Sequence, residues 1–329
     1  MAQLYSMNIE LTNKCPLKCP QCYCSLTGDK HIDLETAKAK VKEAAEHGVK
    51  NINMSGGETL CYPHLYELIS YASKLCENVN IAISGCYFNK EVLHRLLEVG
   101  VTSISVSLNG STEAINRLTR DGYSLAIRAL EILGEEKVPN TFINWVMHSN
   151  NSDDFPNIVS IAEKYGIANI DIIMFKPDSK GELKSFPSGR QMKQVADFIR
   201  HYKGPVKLLV ETCFSQMLAL IFNGSWIGNI DTGENRGCRA GLYLYNISVD
   251  GHYSPCRHWG VAEDYDSLDA YLVSSPVIKQ FREYERDVRD PCKFCAVEKF
   301  CRPCPAIPVK IHNEFCKGQE SCQVWQLAK

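Results

Sequence analysis

The sequence has little charge of either sign to spare: 36 Lys and Arg stand against 38 Asp and Glu, a formal net charge of −2. Without a basic excess there is no electrostatic stripe to follow phosphates, so nucleic acid is not an expected partner. No apolar run approaches the roughly 18 residues of a membrane span, so no spanning helix is expected either. The opening MAQLYSMNIELTNK lacks a basic stretch followed by an apolar one, and no secretory signal is read there. Internal repeats and low-complexity tracts are missing as well. What remains is a chain of 329 residues, expected in the cytoplasm as one large domain, or one large and one small. Thiols in that compartment are kept reduced, which excludes disulfides as its staples.

Cysteine, by contrast, is abundant: sixteen residues, unevenly placed. Cys15, Cys19, Cys22 and Cys24 crowd the start, and Cys238, Cys256, Cys292, Cys295, Cys301, Cys304, Cys316 and Cys322 crowd the end. A cysteine-rich chain that cannot rely on disulfides points to metal. The scattered Cys61, Cys76, Cys86 and Cys213 read first as small buried hydrophobes.

From residue 4 to about 215, short apolar and β-branched runs alternate with segments of helical spacing. The strand candidates are LYSMNIEL, NINMSG, NVNIAIS, SISVSL, FINWVM and IDIIMF, with KLLVETCF (207–214) as one more. LETAKAKVKEAAEHG, HLYELISYASKLC, KEVLHRLLEVG, YSLAIRALEILGEE and DFPNIVSIAEKYG supply the helices between them. Strand-then-helix units in series predict parallel strands with crossover helices. The strands read as nearly continuous apolar runs, as expected when both faces are covered. A doubly wound sheet and a barrel-like (β/α) array both fit this α/β pattern. Beyond about 225 the chain is short on helix signals and rich in Cys, Pro and Gly, so the boundary is set at 1–220 and 221–329. A C-terminal unit of that size has a small core and is expected to need metal to fold.

Cys15, Cys19 and Cys22 follow the first strand with spacing C-x3-C-x2-C. Zinc sites usually close with four ligands from paired motifs; three ligands on one tight loop point instead to an iron–sulfur cluster with one iron open. CPLKCPQCY, with Tyr23 after the third cysteine, resembles the signature of the radical S-adenosylmethionine (SAM) enzymes. In that family the open iron chelates the amino and carboxylate groups of SAM, and the reduced cluster cleaves it to methionine and a 5′-deoxyadenosyl radical. Gly56, Gly57 and Glu58, ending the second strand, resemble the family's GGE motif at the methionine end of SAM. SLNG, ending the fourth, resembles the ribose segment, which assigns Ser107 and Asn109 to hydroxyls; many relatives carry Asp where Asn109 stands. HSNN (148–151) lies where relatives often carry an Asn, and Asn151 is the better match. Ser84-Gly85-Cys86 replaces a common Thr-Asn-Gly turn and is expected to face SAM or substrate. Three motifs at the carboxyl ends of parallel strands are where α/β folds place their sites. The resemblance implies a partial (β/α)6 barrel, and makes Cys24 a bystander.

The late cysteines also keep a pattern. Cys238 is followed by Gly251 and Cys256 in CRAGLYLYNISVDGHYSPC, then by Cys292-x2-Cys295-x5-Cys301-x2-Cys304 and by Cys316 and Cys322. Two C-x2-C pairs suit one tetrahedral zinc, but eight thiols and no paired His stand against that. Order and gaps resemble the SPASM extension of radical SAM enzymes, which carries two auxiliary 4Fe–4S clusters. That resemblance implies Cys238, Cys256 and Cys304 for cluster I and Cys292, Cys295, Cys301 and Cys322 for cluster II. Two departures stand out. Only Arg302-Pro303 separates the last two cysteines of the central motif, where relatives have three residues. No further cysteine sits just before Cys238, so cluster I is expected to keep an open iron or to borrow Cys213 or Cys316. Cys213, ending the last core strand, is also a candidate hydrogen-atom donor.

SPASM enzymes mostly act on peptides or proteins, installing thioether or carbon–carbon crosslinks, epimerising residues or oxidising sulfatase active sites. The implied function is therefore hydrogen abstraction from a peptide residue, with an electron donor of the flavodoxin or ferredoxin type. Arg239, Lys176, Arg257, His258 and Trp259 are candidates for the barrel mouth, with a structural or solvated role the favoured reading of each. Only fourteen residues precede Cys15, which predicts a separate peptide-delivery protein rather than a fused one, or else a small substrate. The alternatives are the same chemistry on a small metabolite such as a porphyrin side chain, sugar or alcohol, and a non-catalytic iron–sulfur or zinc scaffold.

Overall fold

A computed structural model of the chain describes residues 4–24, 28–222, 237–284, 288, 290, 292–295, 298 and 301–315. Its strands are β1 (Ser6–Thr12), β2 (Asn51–Gly56), β3 (Asn78–Ile83), β4 (Ser103–Ser107), β5 (Thr141–Met147), β6 (Asn169–Met174), β7 (Lys207–Val210), β8 (Leu244–Ile247) and β9 (Tyr253–Ser254). They form one sheet in the order β7-β6-β5-β4-β3-β2-β1-β8-β9. Strands β1 to β7 pair in parallel in chain order. A doubly wound sheet reverses its order at a switch point, and this one does not. Sequential order is what a (β/α) barrel requires, and the open run from β7 to β9 makes it a partial one. No helix of the described residues is long and apolar enough to cross a membrane.

The sheet extends into the cysteine-rich region. β8 pairs in parallel with β1, Ser6 to Ile9 opposite Leu244 to Ile247, and β9 returns antiparallel to β8. The expected Asp250-Gly251 turn joins them: Gly251 takes φ +81° and donates its N–H to the Ser248 carbonyl.

The two faces of the sheet differ, which corrects the expectation of apolar runs covered on both sides. One face is apolar: Met7 and Ile9, Ile52 and Met54, Ile81 and Val106 are buried in the core shared with the helices. The helix Leu34–Glu46, capped by Asp33 on the Thr36 N–H, turns Ala37, Val41 and Ala44 into that core. Burying each such Val, Leu or Ile side chain stabilises by about 1.5–3 kcal/mol. The other face is polar. Asn53 donates to Asn8 (3.1 Å), Asn80 donates to Asn53 (2.9 Å) and Ser103 donates to Asn80 (2.6 Å), a ladder running across β1 to β4. Alternation with period two, visible in NINMSG, NVNIAI and SISVS, had the half-solvated meaning rather than the buried one.

The helices expected between strands are present, together with Gly189–His201, which ends the β6 to β7 crossover and carries a capping box of Ser188 and Gln191. The C-terminal region holds more helix than its composition suggested: Leu268–Ser274, Pro276–Glu283 and Ala306–His312. Ser267 and Ser275 cap the first two, and Pro276 starts the second, each an ordinary helix-start signal.

Candidate active site and its cysteine constellations

The loop after β1 is held down from two sides. From β2, the Gly57 N–H donates to the Thr12 carbonyl (2.6 Å) and the Glu58 N–H to the Lys14 carbonyl (2.8 Å). From beyond β4, the Thr119 carbonyl accepts from the Gln21 N–H (3.3 Å), and Leu17 packs where Gly122 has no side chain. Gly56 and Gly57 are required by this approach: a Cβ on Gly56 would strike the Thr12 carbonyl, and one on Gly57 the Lys14 carbonyl. Their first task is thus to let the cysteine loop lie against β2.

Cys15, Cys19 and Cys22 all face one region, with Cys15 and Cys19 half-buried and Cys22 exposed. Burial, helped by the charges of Glu58, Cys19 and Cys22, pushes the Cys15 thiol up to about 11. Hydrogen bonding with Cys24, with Arg120 nearby, pulls Cys22 down to about 6. Cys24 is more than a bystander: its Sγ donates to the Gly56 carbonyl (3.0 Å), pinning the loop's end to β2.

Glu58 is 1% exposed. Its carboxylate accepts from the Leu60 N–H (3.1 Å), the Ser84 N–H (2.9 Å) and the Ser84 hydroxyl. Burial raises its pKa against these hydrogen bonds. Glu58 therefore ties the end of β2 to the turn after β3, within charge range of Cys15. Ser84-Gly85-Cys86 forms that turn, with Cys86 buried.

Beyond β4 and β5 the expected polar residues turn inward. Asn109 Oδ1 accepts from the Val146 N–H (3.0 Å) and Nδ2 donates to Thr119 (3.0 Å). Asn151 Nδ2 donates to the carbonyls of Asn109 and Val146 (both 2.9 Å), and its Oδ1 accepts from the His148 N–H (2.7 Å). Both amides thus brace the strand ends against each other, while Ser107 stays half-buried on the polar face of β4. His148 belongs to the HSNN segment, which the sequence reading expects to face SAM or substrate but in which it singles out Asn151 alone. His148 is 3% exposed, packs on Phe175 at 4.0 Å, and neither ring nitrogen has a hydrogen-bond partner. Burial holds its pKa down to about 4, so the ring is neutral at physiological pH.

A second constellation lies beyond β6 and β7. Cys213, Cys238 and Cys304 are buried and Cys256 is half-buried. Cys304 is hydrogen-bonded to the Cys213 thiol and within charge range of Cys238 and Cys256. Lys176, its side chain 5% exposed, donates to Glu211 (2.8 Å) beside them. Cys292, Cys295 and Cys301 are half-buried nearby in the chain, and Cys316 and Cys322 lie outside the described residues. No group of three or more His, Cys, Asp or Glu among the described residues is arranged to hold a single metal ion.

Tyr23, next to Cys22, joins the two constellations. Arg257, next to Cys256, donates to its hydroxyl (3.4 Å), and the His258 ring lies 4.7 Å from the Tyr23 ring. Glu10 on β1 lies within charge range of both Arg257 and Tyr23, and burial raises its pKa despite Arg257. Of the other candidates for the mouth, Trp259 packs on Phe281 and Phe315 in a C-terminal aromatic cluster. The Arg239 carbonyl closes the turn before β8.

A family model described as the Radical SAM superfamily matches residues 9–162. PqqA peptide cyclase of Gluconobacter oxydans (strain 621H) is 31% identical over 173 residues, which cover 51% of this chain and 48% of that protein. The chain thus spans about half the length of that relative. AdoMet-dependent heme synthase of Methanosarcina barkeri (strain Fusaro / DSM 804) is 21% identical over 336 residues, 95% of this chain and 94% of that protein. Among solved structures, Streptococcus suis SuiB bound to precursor peptide SuiA matches with a TM-score of 0.77 at 17% identity, covering 98% of this chain and 76% of that one. That likeness is one of fold. The three-cysteine loop and the Gly56-Gly57-Glu58 segment that seats it both fall inside residues 9–162, the part of the chain that matches the Radical SAM superfamily.

Proposed function

We propose that the chain is a radical SAM enzyme that abstracts hydrogen from a peptide or protein residue, with oxidation, thioether or carbon–carbon crosslinking, or epimerisation as the outcome. The observation that carries this reading is the likeness to a peptide cyclase and to a fold neighbour solved with a precursor peptide. Cys15, Cys19 and Cys22 fit a [4Fe–4S] cluster: three thiols on one loop, seated on a glycine cradle, offer one ligand too few. When bound, such a cluster supplies the electron that splits SAM into methionine and a 5′-deoxyadenosyl radical.

The chain's own residues hold that chemistry in place. Gly56 and Gly57 keep the backbone close to the methionine end of SAM, and Glu58 fixes the Ser84 turn beside it. Ser107, on the polar face, is placed for the ribose, while Asn109 and Asn151 hold the ribose segment in register. His148 offers two unpaired ring nitrogens at the same end of the strands. We assign 221–329 to an auxiliary-cluster domain of the SPASM kind, with Cys238, Cys256 and Cys304 on one cluster and Cys292, Cys295, Cys301 and Cys322 on the other. An electron carrier of the flavodoxin or ferredoxin type would feed the first cluster, and a separate protein would deliver the peptide.

One observation favours a second reading: the match to a heme synthase runs over 94% of that protein. On this reading the same radical acts on a small metabolite such as a porphyrin side chain. Product mass separates them. The reduced enzyme is incubated with SAM and with short peptides encoded beside its gene, or with porphyrin precursors. A peptide lighter by two hydrogens supports oxidation or crosslinking, and deuterium uptake without mass loss supports epimerisation. Turnover of the porphyrin with every peptide left untouched overturns the peptide reading.

A further inference from the structure

We propose that Cys213 is the fourth protein ligand of the iron–sulfur cluster held by Cys238, Cys256 and Cys304, with Lys176 as a buried counter-charge. This rests on the auxiliary clusters proposed above and settles the vacancy that the spacing before Cys238 leaves open.

The fold brings Cys213 to the segments that carry Cys238 and Cys304 by a set of short, directed hydrogen bonds. Cys213 follows β7, and two residues later the Ser215 hydroxyl donates to the Arg302 carbonyl (3.0 Å). The Cys238 N–H donates to that same carbonyl (2.7 Å), while Arg302 Nη1 donates to the Cys238 carbonyl (2.8 Å). Segments 213–215, 237–238 and 302–304 are thereby stitched at one point. Gly237 is what permits this, since a Cβ there would strike both the Arg302 carbonyl and the Ser215 hydroxyl. The Cys213 and Cys304 thiols are hydrogen-bonded to each other, and Cys304 is the neighbour that Cys238 and Cys256 both sense.

Charge supports the same assignment. Lys176 and Arg302 are both buried here, and among the described residues Glu211 is the carboxylate paired with Lys176. Buried cations are costly unless they face negative groups. Four thiolates around a [4Fe–4S] core leave it net negative, which gives these cations a partner. A cluster with four protein thiolates has no iron free for substrate, so this one passes electrons and does not anchor the peptide.

The test uses the full chain with Cys15, Cys19 and Cys22 replaced by alanine, reconstituted with iron and sulfide without oxygen. Two [4Fe–4S] clusters should remain, about eight irons per chain. Cyanide, a small ligand for any open iron, should leave the electron paramagnetic resonance spectrum of the reduced protein unchanged. Adding Cys213→Ala should make one of the two clusters respond to cyanide or lose iron. Cys213→Ser keeps the side chain's size and a ligating oxygen, so it should retain the iron with an altered spectrum. Cys76→Ala, at a buried cysteine in the barrel, should behave as the parent. A parent that already binds cyanide, a Cys213→Ala protein identical to the parent, or zinc in place of iron at this site overturns the assignment alone. A parent without iron overturns the auxiliary clusters along with it.

Discussion

The two cysteine constellations are assembled in opposite ways. The first is local: Cys15, Cys19 and Cys22 share one loop, and the fold only has to seat it against Gly56 and Gly57. The second is dispersed: Cys213, Cys238 and Cys304 arrive from separate segments that meet through Ser215 and Arg302, with Cys256 within charge range of Cys304. A local site with three thiols leaves room for a co-substrate. A dispersed one depends on the folding of every segment that contributes to it. Tyr23, Arg257 and His258 connect the two where each loop leaves its cysteine.

Substitutions can separate these regions, beginning with the largest effect. Cys19→Ala should reduce SAM cleavage by at least about a hundredfold, since losing a ligand exceeds the tenfold to hundredfold loss of an outer partner. The iron of the dispersed sites should remain, as metal analysis would show. Iron lost from both regions together would mean that they are not independent.

Next is Glu58→Gln, within charge range of Cys15 in the local site. It weakens hydrogen bonds from Ser84 and Leu60 to a buried carboxylate, and should cost about 2–3 kcal/mol in denaturant unfolding. The loss should appear in the barrel transition without releasing iron from the C-terminal region.

Asp171, on the polar face of β6, tests the side nearer Lys176 and Glu211. Burial, with the Glu211 charge adding to it, raises its pKa from 3.8 to about 6. The folded carboxyl thus holds its proton more tightly than the unfolded one. The associated stability is fully present below pH 3.8 and is lost as pH rises through about 6. Asp171→Asn should therefore stabilise by about 3 kcal/mol at pH 8 and change little at pH 3.5, as unfolding at the two pH values would show. The smallest effect is expected at the bridge. Arg257→Met should cost about 1 kcal/mol or less, yet it should shift the spectra of both constellations, whereas a merely structural role would shift neither.

The contrast also explains what could be read from the sequence. The spacing of Cys15, Cys19 and Cys22 survives in the chain because one loop carries all three, and parallel strands followed from the alternating segments, although those segments left sheet and barrel orders both open. The polar face was written in NINMSG, NVNIAI and SISVS, but β-branched residues at alternate positions drew attention away from the Asn and Ser between them. The C-terminal helices announced themselves only through Ser267, Ser275 and Pro276, weak signals inside a cysteine-rich composition. Asn109, Asn151 and Glu58 were placed at the right strand ends, yet their partners are backbone groups far along the chain, which no local pattern encodes. Cys213 is the extreme case. Alone in the sequence it resembles core filler, and only the pairing of β6 with β7 and the Arg302 carbonyl bring it to Cys304.

The most direct measurement is 5′-deoxyadenosine formed from SAM by the reconstituted, reduced chain, compared with its Cys15→Ala variant. The local three-thiol loop predicts steady formation by the first and only background from the second. No formation by the intact chain, or equal formation by both, would contradict it.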